Sequence, residues 1–265
     1  MPRFAANLSL MFTEVAFLDR FAAAAEAGFT AVEFLFPYAH PREAIADRLV
    51  RHGLTLAVFN LPPGDWTAGE RGLAALPDRF AELRAGVETG LAYAAATGVA
   101  RLHLMAGLAD GRDPGARDAY RRAVAWTAER VARDGLDLLI EPINARNMPG
   151  YFLDDFAAAA GLVRDLALPN LKLQFDLYHC QILHGDVTTR LRALMPLVGH
   201  VQTASVPDRH EPGTGEMNDA FLFAELDRLG YAGFVGCEYN PASDTAAGLD
   251  WFAPYRAEQG PYRKI

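Results

Sequence analysis

Four oxygen-bearing side chains close four successive apolar runs in the second half of the chain. They are Glu141 in LDLLIEPIN, Asp176 in LKLQFDLYH, Gln202 in GHVQTAS and Glu238 in GFVGCEYNP. Each has an ordinary use on its own. Glu141 precedes Pro142, which cannot continue a strand ladder, and so suits a solvated strand exit. Asp176 suits the N-cap of a following helix. Gln202 is an amide in a buried run, where it needs partners. Four such residues at one position of consecutive units instead point to a shared site, because the strand C-termini of a closed parallel barrel all open onto one face. Three carboxylates and an amide converging there make a hard, oxygen-rich cage for a divalent metal. That donor set favours Mg²⁺ or Mn²⁺ over zinc, which prefers His or Cys.

The elements that would position these residues alternate along the chain. Strand-like runs are expected over 4–10, 31–36, 54–61, 101–106, 136–142, 171–177, 200–204 and 233–239. Helix-like stretches over 13–27, 41–52, 78–97, 116–134, 153–166, 187–195, 219–229 and 245–256 separate and follow them. Glycine follows several of these helices, at Gly28, Gly53, Gly98 and Gly230, where a left-handed residue closes the last turn. Such alternation implies parallel strands with right-handed crossovers, and about eight units imply an α/β, (β/α)₈ TIM barrel. No GxGxxG follows the first strand, so a dinucleotide-binding open sheet lacks its mark. Two long loops, 62–77 and 206–218, follow strand ends and would overhang the catalytic face.

Length and composition narrow the function. The 265 residues, half of them hydrophobic, suit one barrel domain spanning 1–265. A formal charge of −8 argues against a nucleic-acid partner. It leaves room for an anionic substrate, because a metal or one arginine reverses the local field. Two cysteines, Cys180 and Cys237, without a CxxC pair imply no disulfide framework and a reduced, cytoplasmic chain. Neither a signal-peptide core nor a membrane-length apolar run is present in the sequence, so no membrane partner is expected. A homo-oligomer is compatible with all of this.

The motifs EPIN at Glu141, FDLYH at Asp176, HVQTAS at Gln202, DRHEPGTGE from Asp208 and GCEYNP at Glu238 resemble the hydroxypyruvate isomerase family. That family is one of the xylose isomerase-like TIM barrels, alongside ketose 3-epimerases and endonuclease IV enzymes. The similarity runs over essentially the whole chain, including NLSLMFTE near the start and LHLMAG at the fourth strand. The epimerases usually carry histidine where this chain has Gln202. The resemblance implies that Glu141, Asp176, Gln202 and Glu238 bind one metal, and that Glu141 and Glu238 move the protons.

Elementary chemistry supports that assignment. Interconverting an α-hydroxy ketone and an α-hydroxy aldehyde moves one proton between neighbouring carbons through an enediolate. A Lewis acid neutralises the enediolate, and two carboxylates take and return the proton. The expected substrate is therefore a small 2-oxo acid: hydroxypyruvate first, with a longer 2-oxo-tetronate or a ketose epimerisation as alternatives. His179, three residues beyond Asp176, and Arg209, on the second long loop, are expected to bind it, Arg209 through the substrate carboxylate. His103 is expected to fill the barrel interior, Glu216 to lie on the surface, and Asn7 and Glu33 to lie within reach of the site. Cys237 should face away from Glu238 and pack under a helix.

Two other function classes make different demands. An endonuclease IV-like enzyme needs extra metal-binding histidines and a basic groove. No histidine is expected at the third or fourth strand exit, around Asn60 or Met105. A barrel that merely binds a sugar acid has no need of the intact carboxylate set.

Overall fold

The computed structural model describes residues 1–258, so the expected domain span of 1–265 runs past the described part of the chain. Eight parallel strands close a barrel in sequence order, β1 pairing with β8. They are β1 (Arg3–Asn7), β2 (Ala31–Phe34), β3 (Thr55–Asn60), β4 (Arg101–His103), β5 (Asp137–Ile140), β6 (Leu171–Asp176), β7 (Val198–Thr203) and β8 (Phe234–Cys237). The helices are α1 (Arg20–Glu26), α2 (Arg42–His52), α3 (Phe80–Thr97), α4 (Pro114–Ala132), α5 (Phe156–Leu166), α6 (Leu177–Leu183), α7 (Val187–Leu194) and α8 (Asp219–Arg228). This is the expected (β/α)₈ architecture. No helix among the described residues is long and apolar enough to cross a membrane.

Local sequence explains the boundaries. Asp113 caps α4 through the Gly115 amide, with Pro114 at the first helical position. Asp155 caps α5 through the Ala158 amide, and Asn218 caps α8 through Phe221. Gly53 and Gly98 end α2 and α3 at φ of 64° and 70°, a left-handed geometry that costs glycine little.

Three expectations are corrected. All strands but β7 are shorter than the expected runs, most clearly β4, where only three residues pair and Leu104–Met105–Ala106 continue as buried loop, while β7 starts two residues early. The helix α6 begins directly after Asp176, whereas the next helix-like stretch is expected only at 187–195, because LYHCQIL is too short to show a helical period. The segment expected as a last helix over 245–256 is a 3₁₀ run, Ala246–Glu258, with Pro254 inside it. Proline there can donate no amide hydrogen bond to an α-helix.

The barrel interior changes character along its axis. Ala5, Ala31, Ala57 and Phe234 form a small buried cluster of their own. Two residues further along their strands stand Asn7 and Glu33, both buried and aligned across β1 and β2. The polar ring continues with Asn60 opposite His103, Gln174 opposite His200 and Asp176 opposite Gln202. The upper interior is thus given to hydrogen-bonding side chains that an apolar core would exclude.

Candidate metal and substrate site

Glu141 and Glu238 each lie one residue beyond the last paired residue of β5 and β8, while Asp176 ends β6 and Gln202 lies near the end of β7. One ligand atom from each of Glu141, Asp176, Glu238 and His179 falls within 4.8 Å of every other. All four residues are buried. Three of the four expected cage residues are therefore gathered at one point, with His179 beside them.

Asp176 does two jobs. Its Oδ1 accepts from the Tyr178 amide at 2.7 Å and the His179 amide at 3.3 Å, capping α6. Its Oδ2 is buried and has no hydrogen-bond partner. Glu141 repeats the pattern: Oε2 accepts from Gln174 Nε2 at 2.9 Å, and Oε1 is buried without a partner. Buried carboxylate oxygens left bare are costly, and a cation is the ligand that satisfies them. The donor set fits a divalent metal on that ground.

The electrostatics agree. Burial pushes the Glu141 pKa well above the usual carboxylate range, with the charges of Glu238 and Asp176 adding to it. Burial also raises Asp176, against the lowering pull of Arg209 and the capping amides. Glu238 is pushed up to about 8, again by burial, although Arg209 opposes the shift. Three carboxylates cannot all hold charge in this space without positive charge beside them.

Gln202 is placed differently from its neighbours. Its Nε2 donates to Glu33 Oε1 at 2.9 Å, and its Oε1 accepts from Gln174 Nε2 at 2.7 Å. A carboxylate only accepts, so Glu33 fixes which end of the amide faces it. Glu33 is itself held by Asn7 Nδ2 at 3.0 Å and faces His200 Nε2 at 2.7 Å. Gln174 donates to both Glu141 and Gln202 and so ties the amide to the cage.

The tautomer of His179 can be read from its neighbours. The Asn144 amide donates to His179 Nδ1 at 3.3 Å, and Asn144 Nδ2 lies 2.6 Å from the same atom. Nδ1 is then the acceptor, and burial keeps the ring neutral by holding its pKa well below the usual value. The proton therefore sits on Nε2, 3.6 Å from Asp176 Oδ2 and 3.9 Å from Glu141 Oε1.

Arg209 is in the site, on backbone at φ 59°, a left-handed geometry held by hydrogen bonds to Ser205 and Asn240. Its Nη2 meets Glu238 Oε2 at 2.9 Å and its Nε donates to the Glu238 carbonyl at 3.2 Å. Asp176 Oδ2 lies 3.9 Å from the same Nη2. The expected receiver of a substrate carboxylate is thus already engaged by the protein's own glutamate.

Above the cage opens a cavity of about 280 Å³, lined by Glu141, Glu238, His179, Arg209, Gln174 and His103, with Trp66 and Arg71 from the loop 62–77. That loop is anchored at Gly72, which bridges to Ala106 at φ 115°; a Cβ there would collide with the Met105 carbonyl. His103 overturns one expectation. It ends β4 and lines this cavity, so a histidine does stand at the fourth exit, three residues before the expected strand end. Its Nδ1 pairs with Asn60 Oδ1 at 3.1 Å, and burial drives its pKa down to about 3. Glu216 lies outside the cavity, accepting from Gln181 on an exposed face. Cys180 and Cys237 are free and buried.

Gln174, Asn144, Trp66 and Arg71 belong to the site without being singled out by the sequence motifs. Gln174 carried a usable signal, since it stands two residues before Asp176 and strand alternation puts both on the barrel interior. The loop residues carried none beyond their place after a strand.

The profile of the xylose isomerase-like TIM barrel matches residues 21–255. The chain belongs to this family. Within it, the chain is 52% identical over 257 residues to a 2-oxo-tetronate isomerase of Cupriavidus necator, covering 96% of this chain and 99% of that protein. It is 41% identical over 262 residues to the hydroxypyruvate isomerase of Escherichia coli, covering 97% of this chain and all of the relative. A crystal structure from Brucella melitensis, named AP endonuclease, family 2, superposes with a TM-score of 0.95 at 51% identity, covering 97% of this chain and 100% of that one. The two curated relatives are named isomerases, in line with the resemblance read from the motifs.

Proposed function

We propose that this xylose isomerase-like barrel is a metal-dependent isomerase of a short 2-oxo acid. The observation that carries the reading is the convergence of Glu141, Asp176 and Glu238, with buried oxygens left for a cation. Hydroxypyruvate and 2-oxo-tetronate fit the same chemistry. In both, a proton leaves C3 and arrives at C2 beside a C1 carboxylate, and the longer acid only adds a hydroxymethyl group at C3. The higher identity to a 2-oxo-tetronate isomerase, 52% against 41%, favours testing the longer acid first.

Glu141, Asp176, Glu238 and the oxygen of Gln202 would hold the metal. Their oxygen donors suit Mg²⁺ or Mn²⁺. A divalent ion there supplies Lewis-acid neutralisation of charge developing on the substrate oxygens. Glu141 and Glu238 come from strand exits three units apart and reach the substrate from different sides. One takes the C3 proton and the other delivers a proton to C2. Arg209 holds Glu238 in place through two hydrogen bonds. His179 presents an Nε2–H at the cage and donates it to a substrate oxygen. Gln174 and Glu33 keep the Gln202 amide in its orientation. The free, buried cysteines suit a reducing cytoplasm.

The endonuclease reading is not favoured. The chain carries a net charge of −8, and curated relatives over nearly its full length are isomerases. The test is a side-by-side assay of hydroxypyruvate, 2-oxo-tetronate, neutral ketoses and abasic DNA, with and without chelator. Metal-restored turnover of a 2-oxo acid is the expected result. Preference for neutral ketoses, or strand cleavage at abasic sites, overturns the reading.

A further inference from the structure

The proposed substrates carry a carboxylate into a cavity already lined by Glu141 and Glu238, with Asp176 beneath. That group needs a cation of its own. Two arginines, whose guanidinium keeps its charge, stand on the cavity wall, Arg209 and Arg71. Arg209 is bonded through Nη2 and Nε to Glu238. Arg71 is in a different state. Its Nη1 donates to the Trp66 carbonyl at 3.1 Å and the Glu70 carbonyl at 2.7 Å, and these bonds fix the side chain to its own loop. The Glu70 carboxylate does not neutralise it, being turned to Arg79 and the Asp65 amide. No other carboxylate pairs with Arg71 among the described residues. Among the described residues its Nε and Nη2 have no hydrogen-bond partner, and this is the edge with which Arg130 forks onto Glu88. The guanidinium lies 3.9 Å over the Trp66 ring, and Trp66 packs on Phe36 at 4.9 Å. An aromatic shelf beneath and two carbonyls behind orient the plane before any ligand arrives.

We infer that Arg71 is the specificity residue of this site and receives the C1 carboxylate of the substrate on its Nε–Nη2 edge. The inference rests on the 2-oxo acid reading above. It assigns the loop 62–77 the task of choosing carboxylate-bearing substrates, while the barrel supplies the chemistry. Arg209 stays with Glu238 and tunes the reacting carboxylate. The loop can carry this task because it is pinned: Gly72 bridges Ala106, and the Ala75 amide donates to the Ala106 carbonyl at 2.7 Å.

The experiment compares the parent with Arg71→Met, Arg71→Lys and Arg209→Met. Steady-state kinetics are taken on hydroxypyruvate and 2-oxo-tetronate, and the thermal shift produced by Mn²⁺ alone is measured on each protein. Loss of a bidentate charge-assisted contact is expected to raise KM by about 10- to 100-fold in Arg71→Met, with a much smaller fall in kcat. Arg71→Lys should recover part of the KM, because the charge remains and the fork is lost. The Mn²⁺ shift should be the same as in the parent, because Arg71 does not touch the cage. Arg209→Met should act mainly on kcat. If Arg71→Met keeps the parent KM, or if the KM effect follows Arg209 instead, the inference is overturned while the isomerase reading stands. If the parent turns over neutral ketoses and no 2-oxo acid, the reading itself falls, and this inference with it. A lost Mn²⁺ shift in Arg71→Met also overturns the inference, since the loop would then be shaping the cage.

Discussion

Substituting Asp176 by Asn and by Ala separates its two oxygens. Oδ1 caps α6 through two backbone amides, and Oδ2 is a bare, buried acceptor facing the cage. Asn keeps an oxygen for the cap and places a neutral amide where Oδ2 stood. Ala loses both. In chelator, Asp176→Ala should therefore be less stable than Asp176→Asn by about 0.5–2 kcal/mol, the usual worth of an N-cap. Asp176→Asn should be at least as stable as the parent there, because it removes one of three mutually repelling buried carboxylates. Metal reverses the order. For the parent at a free metal concentration of 100 times Kd, binding adds about 2.7 kcal/mol to the unfolding free energy. Both variants should lose most of that increment, since each lacks an anionic ligand. Urea unfolding in chelator and in saturating Mn²⁺ or Mg²⁺ reads both terms, and titration calorimetry reads the metal affinity directly. An Asp176→Asn protein that keeps the full metal increment would refute the role of Oδ2 in the cage. An Asp176→Ala protein as stable in chelator as Asp176→Asn would refute the capping argument.

Glu141→Gln and Glu238→Gln should each lower turnover by about 10²–10⁴-fold, the range for general acid–base groups. Product formed in D₂O by the parent should carry solvent deuterium, and full turnover by both variants would exclude the two-glutamate mechanism. His103, with a folded pKa of about 3 against 6.5 unfolded, binds fewer protons folded than unfolded below pH 6.5. The parent should thus lose stability relative to His103→Gln as pH falls below 6.5, by up to about 1.4 kcal/mol per pH unit, down towards the folded value. Urea midpoints of the two proteins from pH 7.5 to 5, about the range between neutrality and mild acid, test this; parallel profiles would mean His103 is not buried neutral. A Cβ at Gly236 would overlap the Glu33 carboxylate, so Gly236→Ala should cost about 1–3 kcal/mol by overpacking. It should also weaken metal binding through the Glu33–Gln202 hydrogen bond, and unchanged calorimetric affinity would remove Glu33 from the positioning network.

The fold was legible because the same local signal repeats: an apolar run, a polar exit, a helical stretch, a glycine. Eight repeats define a barrel even when single boundaries slip, as β4 and the 3₁₀ segment Ala246–Glu258 show. The site was legible only where chemistry sits at strand ends. Glu141, Asp176 and Glu238 announce themselves as carboxylates closing apolar runs, and the barrel brings them within a few ångströms of one another. Residues that act through a partner leave no such trace. The sequence allows Asp176 to be either a cap or a ligand, and the geometry assigns one oxygen to capping and leaves the other bare. Neither composition nor period carries that division.

His103 shows why a strand exit read three residues late matters. Apolar residues continue past the last paired position, so the run LHLMA reads as strand to Ala106, whereas pairing stops at His103. The ladder ends where the loop 62–77 comes in to bridge Ala106 through Gly72. The chain therefore uses those three apolar residues to seat the loop that carries Trp66 and Arg71, not to extend the barrel. A long-range contact decides the end of the strand, and the same contact fixes the base of the loop on the cavity wall. The strand boundary and the proposed substrate preference then share one structural cause, because whatever loosens Gly72 against Met105 and Ala106 also frees the guanidinium proposed to select the substrate.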